Sequence, residues 1–469
     1  MNSTEKHTSI VDRPTIFLAL HRFNHYSDIL RGRLILGLAE RFRVIVITPD
    51  LDENALRAYG YVTRPGIIYT QLSVRYEWLW KTAELYIRKY FVRSFDDLFI
   101  TQHWYYGFLH TAKDRALRFI GSFLPKRLAT PALFTRLEML LVRVSPEFRA
   151  LCREFLPSLV VLPTPGWGYM PFVAEMMIFA RKMKIPTVAI NCTYDQPYSQ
   201  AKFIRKTDYM MVNTPGMKND MMRLHGYSEE SLFVAGCLKF DHYFSDRLAG
   251  RMRTREEFLR SKNLDHAKKL ILYATPSPGV YKDRMEIMKE IVRLKREKKF
   301  LGDPNIIVRL HPFEYPRPYQ EFLGIPGIYI EGGGCERAPE AYPGPRREMD
   351  EEDLVNLTES LTYADVVVNF ASSLTIESAI FDTPVVNVGF RERHRVFYEY
   401  ETNRAIRHLG ATRFASSLEE LSVCINDYLS NPGLEKEKRA QLVKEFIYFA
   451  DGKSYLRVAE TLEKIITKK

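Results

Sequence analysis

The sequence predicts an α/β protein made of two doubly wound, mostly parallel-sheet units in succession. Three observations predict it. Short apolar runs alternate with amphipathic stretches, the pattern of strand–helix–strand units. That alternation runs twice, on either side of a segment over 241–269 that is rich in charge and poor in apolar side chains. The chain has 469 residues, the length of two large domains.

The first unit opens with a strand over 16–20, a loop over 21–26, a helix over 27–41 and a strand over 44–48. The helix is expected to bury Ile29, Leu30, Leu34 and Leu38 and to expose Arg31, Arg33 and Glu40. Two parallel strands need such a crossover helix. The unit resumes with strands over 159–162, 187–191, 209–212 and 232–235, and helices over 171–184 and 215–225. In the second unit, strands are expected over 270–274, 305–310, 328–331, 366–369 and 385–388, with helices over 282–299 and 374–381. The tail from 418 is helical, broken at Asn431-Pro432-Gly433 and near Asp451-Gly452. The boundaries expected are a first domain over 14–240, a linker over 241–268, a second domain over 269–440 and C-terminal helices over 441–469.

Composition excludes several classes. The 68 lysines and arginines exceed the 57 acids, for a net charge of +11. Such a surplus favours anionic partners. No helix-turn-helix, zinc-finger or RNP-type pattern points to nucleic acid. The five cysteines are scattered, without a C-x-x-C pair, which argues against a disulfide scaffold or a structural zinc site. Apolar runs fall far short of the ~20 residues that span a bilayer. No secretory signal is visible, so a cytoplasmic location is expected.

One stretch, 78–149, stands apart. It holds fifteen aromatics, including three of the four tryptophans, and twelve lysines and arginines against six acids. It reads as a helical insertion in the first domain. Either its aromatics pack on that domain, or they form a basic, apolar surface for peripheral contact with the inner membrane face or a lipid-linked acceptor.

Two strand-to-helix turns in the second unit carry candidate chemistry. The strand over 305–310 runs into Arg309-Leu310-His311-Pro312, and ligands of open parallel sheets bind outside the carboxyl ends of strands. A guanidinium at Arg309 can hold a phosphate by paired, charge-assisted bonds, and His311 can donate a proton to a leaving phosphate oxygen. Alternation along the strand places both on one side. The second turn is Asn369-Phe370-Ala371-Ser372-Ser373-Leu374. Here Ser372 or Ser373 caps the next helix, whose first amides attract phosphate. Glu377, one turn further, can accept bonds from a ribose diol. Weaker signals are Asp50-Leu51-Asp52, read as a surface loop, and Glu331-Gly332-Gly333-Gly334 with Pro339, Pro343 and Pro345, read as a mobile loop or a lid.

The run over 363–390, with Asp382-Thr383-Pro384-Val385-Val386, resembles the donor-nucleotide half of GT-B fold glycosyltransferases. The His-Pro and Ser-Ser turns together resemble the superfamily of the CDP-glycerol glycerophosphotransferases and of bacterial transferases that use CMP-sugars. Gly236-Cys237-Leu238-Lys239-Phe240-Asp241 is similar to a stretch closing the first domain there and in UDP-GlcNAc 2-epimerases. Asp451-Gly452-Lys453-Ser454 with Arg457 is similar to a tail motif of the glycerophosphotransferases. The resemblance spans roughly 187–469. It implies two Rossmann-like domains facing a cleft, with the nucleotide on the second, the acceptor on the first and the last helix crossing back. By that resemblance His311 contacts the donor phosphate, Ser372 and Ser373 bind phosphate, and Glu377 binds ribose. The first strand end then faces the cleft, which makes His21 or His25 a candidate general base for the acceptor hydroxyl. Asp195, in Cys192-Thr193-Tyr194-Asp195, competes for that role.

The function expected is a metal-independent glycosyltransferase without a resident cofactor. It would move a sugar from a nucleotide-activated donor to a hydroxyl of a glycan or lipid-linked acceptor in surface polysaccharide synthesis. A CDP-glycerol-type glycerophosphotransferase using the same pocket, or a non-catalytic nucleotide- or glycan-binding homologue, stands as the alternative.

Overall fold

The computed structural model describes residues 13–468 except 22–24, 59–60, 62–65, 81–97, 102, 104–111, 124–129, 164–169, 200–202, 279–280, 282–283, 334, 337–346 and 391. The chain divides into two compact units, the first comprising 1–242 and 451–469 and the second 243–450.

The first unit holds a seven-stranded sheet of β1 (Thr15–Ala19), β2 (Arg43–Thr48), β3 (Ile67–Gln71), β4 (Leu159–Pro163), β5 (Thr187–Ile190), β6 (Tyr209–Val212) and β7 (Leu232–Val234). Its order is β3-β2-β1-β4-β5-β6-β7. Every pair is parallel. Helices cover both faces of such a sheet, so its inner strands read as unbroken apolar runs. Ile16 to Leu20 and Val44 to Ile47 are all fully buried.

The crossover after β1 differs from the single helix expected. A wide π-type turn over Tyr26–Arg31 ends at Gly32, whose backbone is extended, and a regular helix then runs over Arg33–Arg41. A Cβ on Gly32 would lie 2.7 Å from the Asp28 carbonyl oxygen, so only glycine permits the break. Ile29, Leu30, Leu34 and Leu38 are buried all the same.

Of the insertion expected over 78–149, residues 81–97, 104–111 and 124–129 lie outside the described residues. The described parts behave in two ways. Trp80 is 2% exposed and donates its indole N–H to the buried Glu175 carboxylate at 3.2 Å. The helix over Pro131–Leu141 is held by Thr135, which donates to the Ile204 carbonyl at 3.0 Å, and by an ion pair between Glu138 and Arg205. By contrast, Phe119, Ile120, Phe123, Leu137, Leu140 and Leu141 are exposed.

The second unit holds a six-stranded parallel sheet of β8 (Leu270–Ala274), β9 (Asn305–Arg309), β10 (Ile328–Glu331), β13 (Val366–Asn369), β14 (Val385–Val388) and β15 (Arg413–Ala415). The order is β10-β9-β8-β13-β14-β15. A short antiparallel pair, β11 (Cys335–Glu336) and β12 (Arg347–Glu348), lies in the chain between β10 and β13. The segment expected as a linker belongs to the packing of this unit: Phe258 and Leu259 are buried, and Arg253 is paired with the fully buried Glu359. The α/β doubly wound class is as the sequence predicted.

The motif at Gly236–Asp241 and the one at Asp451–Ser454 have a joint structural role in the first unit. The Asp241 carboxylate accepts the backbone N–H groups of Ser454 at 3.2 Å and Tyr455 at 3.0 Å, capping the last helix, Ser454–Thr467. That helix packs on Arg33–Arg41, where the Tyr455 ring lies against Gly37 and Arg41 pairs with Glu463 at 2.5 Å. Asp241→Ala is expected to cost about 1 kcal/mol, the usual value of such a cap. Faster amide hydrogen exchange confined to residues 454–467 would report it, and unchanged exchange there would refute it.

Candidate active site

In the second unit, β9 and β13 lie on either side of β8. Chain direction diverges there, which makes the carboxyl edge of β8 the topological switch point where doubly wound sheets bind ligands. His311 follows β9 and Ser372 follows β13. Two strand spacings put those turns on the order of 10 Å apart, on one edge.

The loop after β8, Thr275-Pro276-Ser277, occupies the middle of that edge. The Thr275 hydroxyl oxygen accepts the His311 backbone N–H at 2.9 Å. Arg284, at the head of the next helix, donates to Glu314 at 2.9 Å, tying the β8 and β9 loops a second time. The sequence reading passed over Thr275 and Ser277. Their position directly after the first strand of the unit was the available signal.

His311 is half-buried. Its Nδ1 accepts the Phe313 backbone N–H at 3.1 Å, which leaves the neutral ring with its proton on Nε2. Burial pushes the imidazole pKa below its usual value, with Glu314 acting weakly in the opposite sense. At neutral pH the ring is therefore an uncharged N–H donor.

Arg309 does not do what was expected of it. Its guanidinium is 6% exposed and donates to Glu331 at 2.9 Å and to both Asp353 oxygens at 2.7 Å. Lys262 joins the network at 2.6 Å from Glu331. Arg309 is the centre of an internal ion-pair cluster, with its charge already neutralised, and it does not share a target with His311.

The Ser-Ser turn departs from expectation too. Neither hydroxyl caps the helix Leu374–Ile380 from the N-cap position; the Ser372 oxygen instead accepts the Leu374 N–H at 3.3 Å. Ser373 donates to Glu377 at 2.8 Å. The other Glu377 oxygen accepts the Tyr243 hydroxyl, and the carboxylate is 4% exposed. Glu377 is thus a buried brace between Tyr243 and the turn, which removes it as an open ribose ligand. Ala371 holds a left-handed backbone (φ 39°), and its N–H donates to the Tyr398 hydroxyl at 3.0 Å. Backbone strain of this kind concentrates at functional turns. Beside it opens a small pocket whose lining mixes Thr375, Asn387 and Arg407 with Tyr398, Ile406 and Phe414.

Much of the glycine-rich loop lies outside the described residues, Gly334, Pro339, Pro343 and Pro345 included. Gly333 donates its N–H to the Leu310 carbonyl at 3.0 Å, and a Cβ there would meet that oxygen at 2.5 Å. Among the described residues, no three His, Cys, Asp or Glu side chains gather to hold a metal ion. Asp52 accepts the Ala55 N–H at 2.7 Å and so starts the helix Glu53–Ala58.

In the first unit, His21 and Asp195 follow β1 and β5, with β4 between them, so both lie on its carboxyl edge. His21 is half-buried with its ring edge against Phe172, 5.9 Å between centroids. His25 is 2% exposed. Burial pushes the Asp195 carboxyl pKa up, while a hydrogen bond from Thr193 and the charge of Lys239 pull it back. A half-exposed acid with a raised pKa suits a general base. Lys239 is a cation the sequence reading quoted within a motif without weighing. Cys237 beside it is buried, its thiol pushed up to about 12, and is inert.

No family model matches the chain, and no curated protein matches it in sequence. Solved structures do match. The UDP-GlcNAc 2-epimerase of Neisseria meningitidis bound to UDP-GlcNAc aligns with a TM-score of 0.52 and 13% identity, over 96% of this chain and 100% of that one. A structure of S. aureus MnaA with UDP gives 0.52 and 12%, over 97% of each. A further UDP-N-acetylglucosamine 2-epimerase gives 0.53 and 13%, also over 97% of each. Identities this low speak for the fold alone: the chain is a two-unit α/β protein of the GT-B architecture, as its motifs resembled.

Proposed function

We propose that the protein is a glycosyltransferase taking a sugar from a nucleotide-activated donor to a hydroxyl of a glycan or lipid-linked acceptor. The observation that carries this reading is the His311 imidazole, uncharged and with Nε2–H to donate, at the switch-point edge of the second unit beside Thr275 and across β8 from Ser372. The likeness in fold to enzymes solved with UDP-GlcNAc and UDP supports a nucleotide sugar as the donor.

The acceptor hydroxyl attacks the anomeric carbon, and the bond from that carbon to the nucleotide phosphate oxygen breaks with its electron pair leaving on the phosphate. The hydroxyl proton is released to solvent. His311 Nε2–H bonds the departing phosphate oxygen, adding a fixed donor where charge develops. Ser372, half-buried, offers a further hydroxyl on the same edge.

Thermal unfolding in the presence of UDP, UDP-sugars, CMP-sugars and CDP-glycerol tests the donor class. A ligand at 100 times its dissociation constant is expected to add about 2.7 kcal/mol to stability. A shift with CDP-glycerol alone would assign the glycerophosphotransferase reaction instead. No shift with any nucleotide would remove the transferase reading.

A further inference from the structure

We propose that the described part of the insertion is a docking surface for an anionic lipid bilayer, made by the helices Ala112–Ser122 and Pro131–Leu141. This inference is independent of the nucleotide reading.

The first of these helices is amphipathic. At 100° per residue, Ala112, Ala116, Phe119 and Phe123 lie within one narrow arc, with Ile120 beside them. In a globular protein such a stripe faces the core. Here it faces outward: Phe119 is 65% exposed, Ile120 55% and Phe123 70%. Lys113 and Arg115 are exposed on the same helix.

The second helix is anchored through Thr135, Glu138 and Met139, which fixes its other side outward. That outward side carries Leu137, Leu140 and Leu141, the last two 78% and 68% exposed, with Arg136 among them. Scattered exposed apolar side chains are ordinary; six large ones within 23 residues are not.

Charge identifies the occupant. Among the described side chains of 112–143, Lys113, Arg115, Arg136 and Arg143 are exposed cations. Glu138 is already paired with Arg205. A helix with Phe and Ile on one side and cations beside them matches the interfacial helices that lie in the headgroup boundary of anionic membranes. Among the described residues no helix is long and apolar enough to cross the bilayer, so the contact is lateral.

Co-sedimentation of the full chain with vesicles of phosphatidylcholine, alone and mixed with phosphatidylglycerol, tests the proposal. Binding is expected to the mixed vesicles only and to weaken with added salt. Replacing Phe119 and Phe123 together by Ser, or Leu137 and Leu140 together by Ser, should weaken it more than tenfold. Lys113→Ala and Arg115→Ala should each weaken it about fivefold. Because these side chains are exposed, melting temperature and any nucleotide-induced shift should stay as in the parent, which separates loss of docking from unfolding and from failure of the donor reading. Equal partition of parent and variants, or no binding to mixed vesicles, overturns the proposal. So does a dimer in solution that the same substitutions dissolve, which would assign the face to a second copy of the chain.

Discussion

Arg309→Leu is expected to destabilise the second unit by about 3–5 kcal/mol, the cost of stripping one partner from a buried ionic cluster. The guanidinium bonds Glu331 and both oxygens of Asp353, and all three side chains are buried. Lys262 and Asn356 still serve Glu331 in the variant, at 2.6 Å and 3.0 Å. Asp353 loses its buried counter-charge. The pH dependence carries the same signature. Burial alone would push the Glu331 carboxyl up, yet Arg309 and Lys262 more than reverse this and hold it below the usual range. A carboxyl with a depressed folded-state pKa contributes stability above its unfolded value of ~4.3, and that contribution is lost as pH falls through the folded value. Calorimetric melts should therefore show the parent losing stability in acid. The deficit of Arg309→Leu should be greatest near neutrality and shrink as pH falls. An unchanged melt together with a lost nucleotide shift would reinstate Arg309 as a phosphate ligand.

His311→Ala is expected to lower turnover by roughly 10²–10⁴-fold, the range for a positioned proton-transfer group. Among the described residues the half-buried ring bonds the Phe313 N–H and touches the Phe313 ring, both within its own loop, so the melting temperature should move little. Retained nucleotide affinity with lost turnover would exclude a non-catalytic binding homologue; full turnover would remove His311 from the reaction. The ring titrates below its ordinary 6.5 because burial disfavours the charged form. The folded state then binds fewer protons than the unfolded one, so its contribution to stability falls as pH drops through that value. An NMR titration placing the His311 midpoint above 6.5 would contradict the assigned environment.

The strands were legible in the sequence where both faces are buried. β6, β8, β13 and β14 have the bounds expected, because a buried parallel strand is an unbroken apolar run. The strands not foreseen, β3 and β15, lie at sheet edges, where Ile67–Gln71 and Arg413–Ala415 are largely half-exposed and carry polar residues. The helix Glu351–Tyr363 was not foreseen: it carries polar Thr358, Glu359 and Ser360, yet all three are buried. The site was legible as an edge and not as a set of partners. Arg309 looked like a ligand because Glu331 and Asp353, 22 and 44 residues further on, neutralise it only in the fold. Glu377 is met by Tyr243, 134 residues away. Spacing within a motif reveals what leaves a strand end, and says nothing of what arrives from elsewhere.

The Asp241 cap has a consequence for biogenesis. Its partners, Ser454 and Tyr455, emerge from the ribosome more than two hundred residues after it. Domains generally fold in turn as they are synthesised, but here the amino-terminal one must wait with an open seam while its neighbour, 243–450, is completed. Translation begins that body first and finishes it last, and a nascent chain stalled before residue 451 would carry one mature lobe and one unsealed.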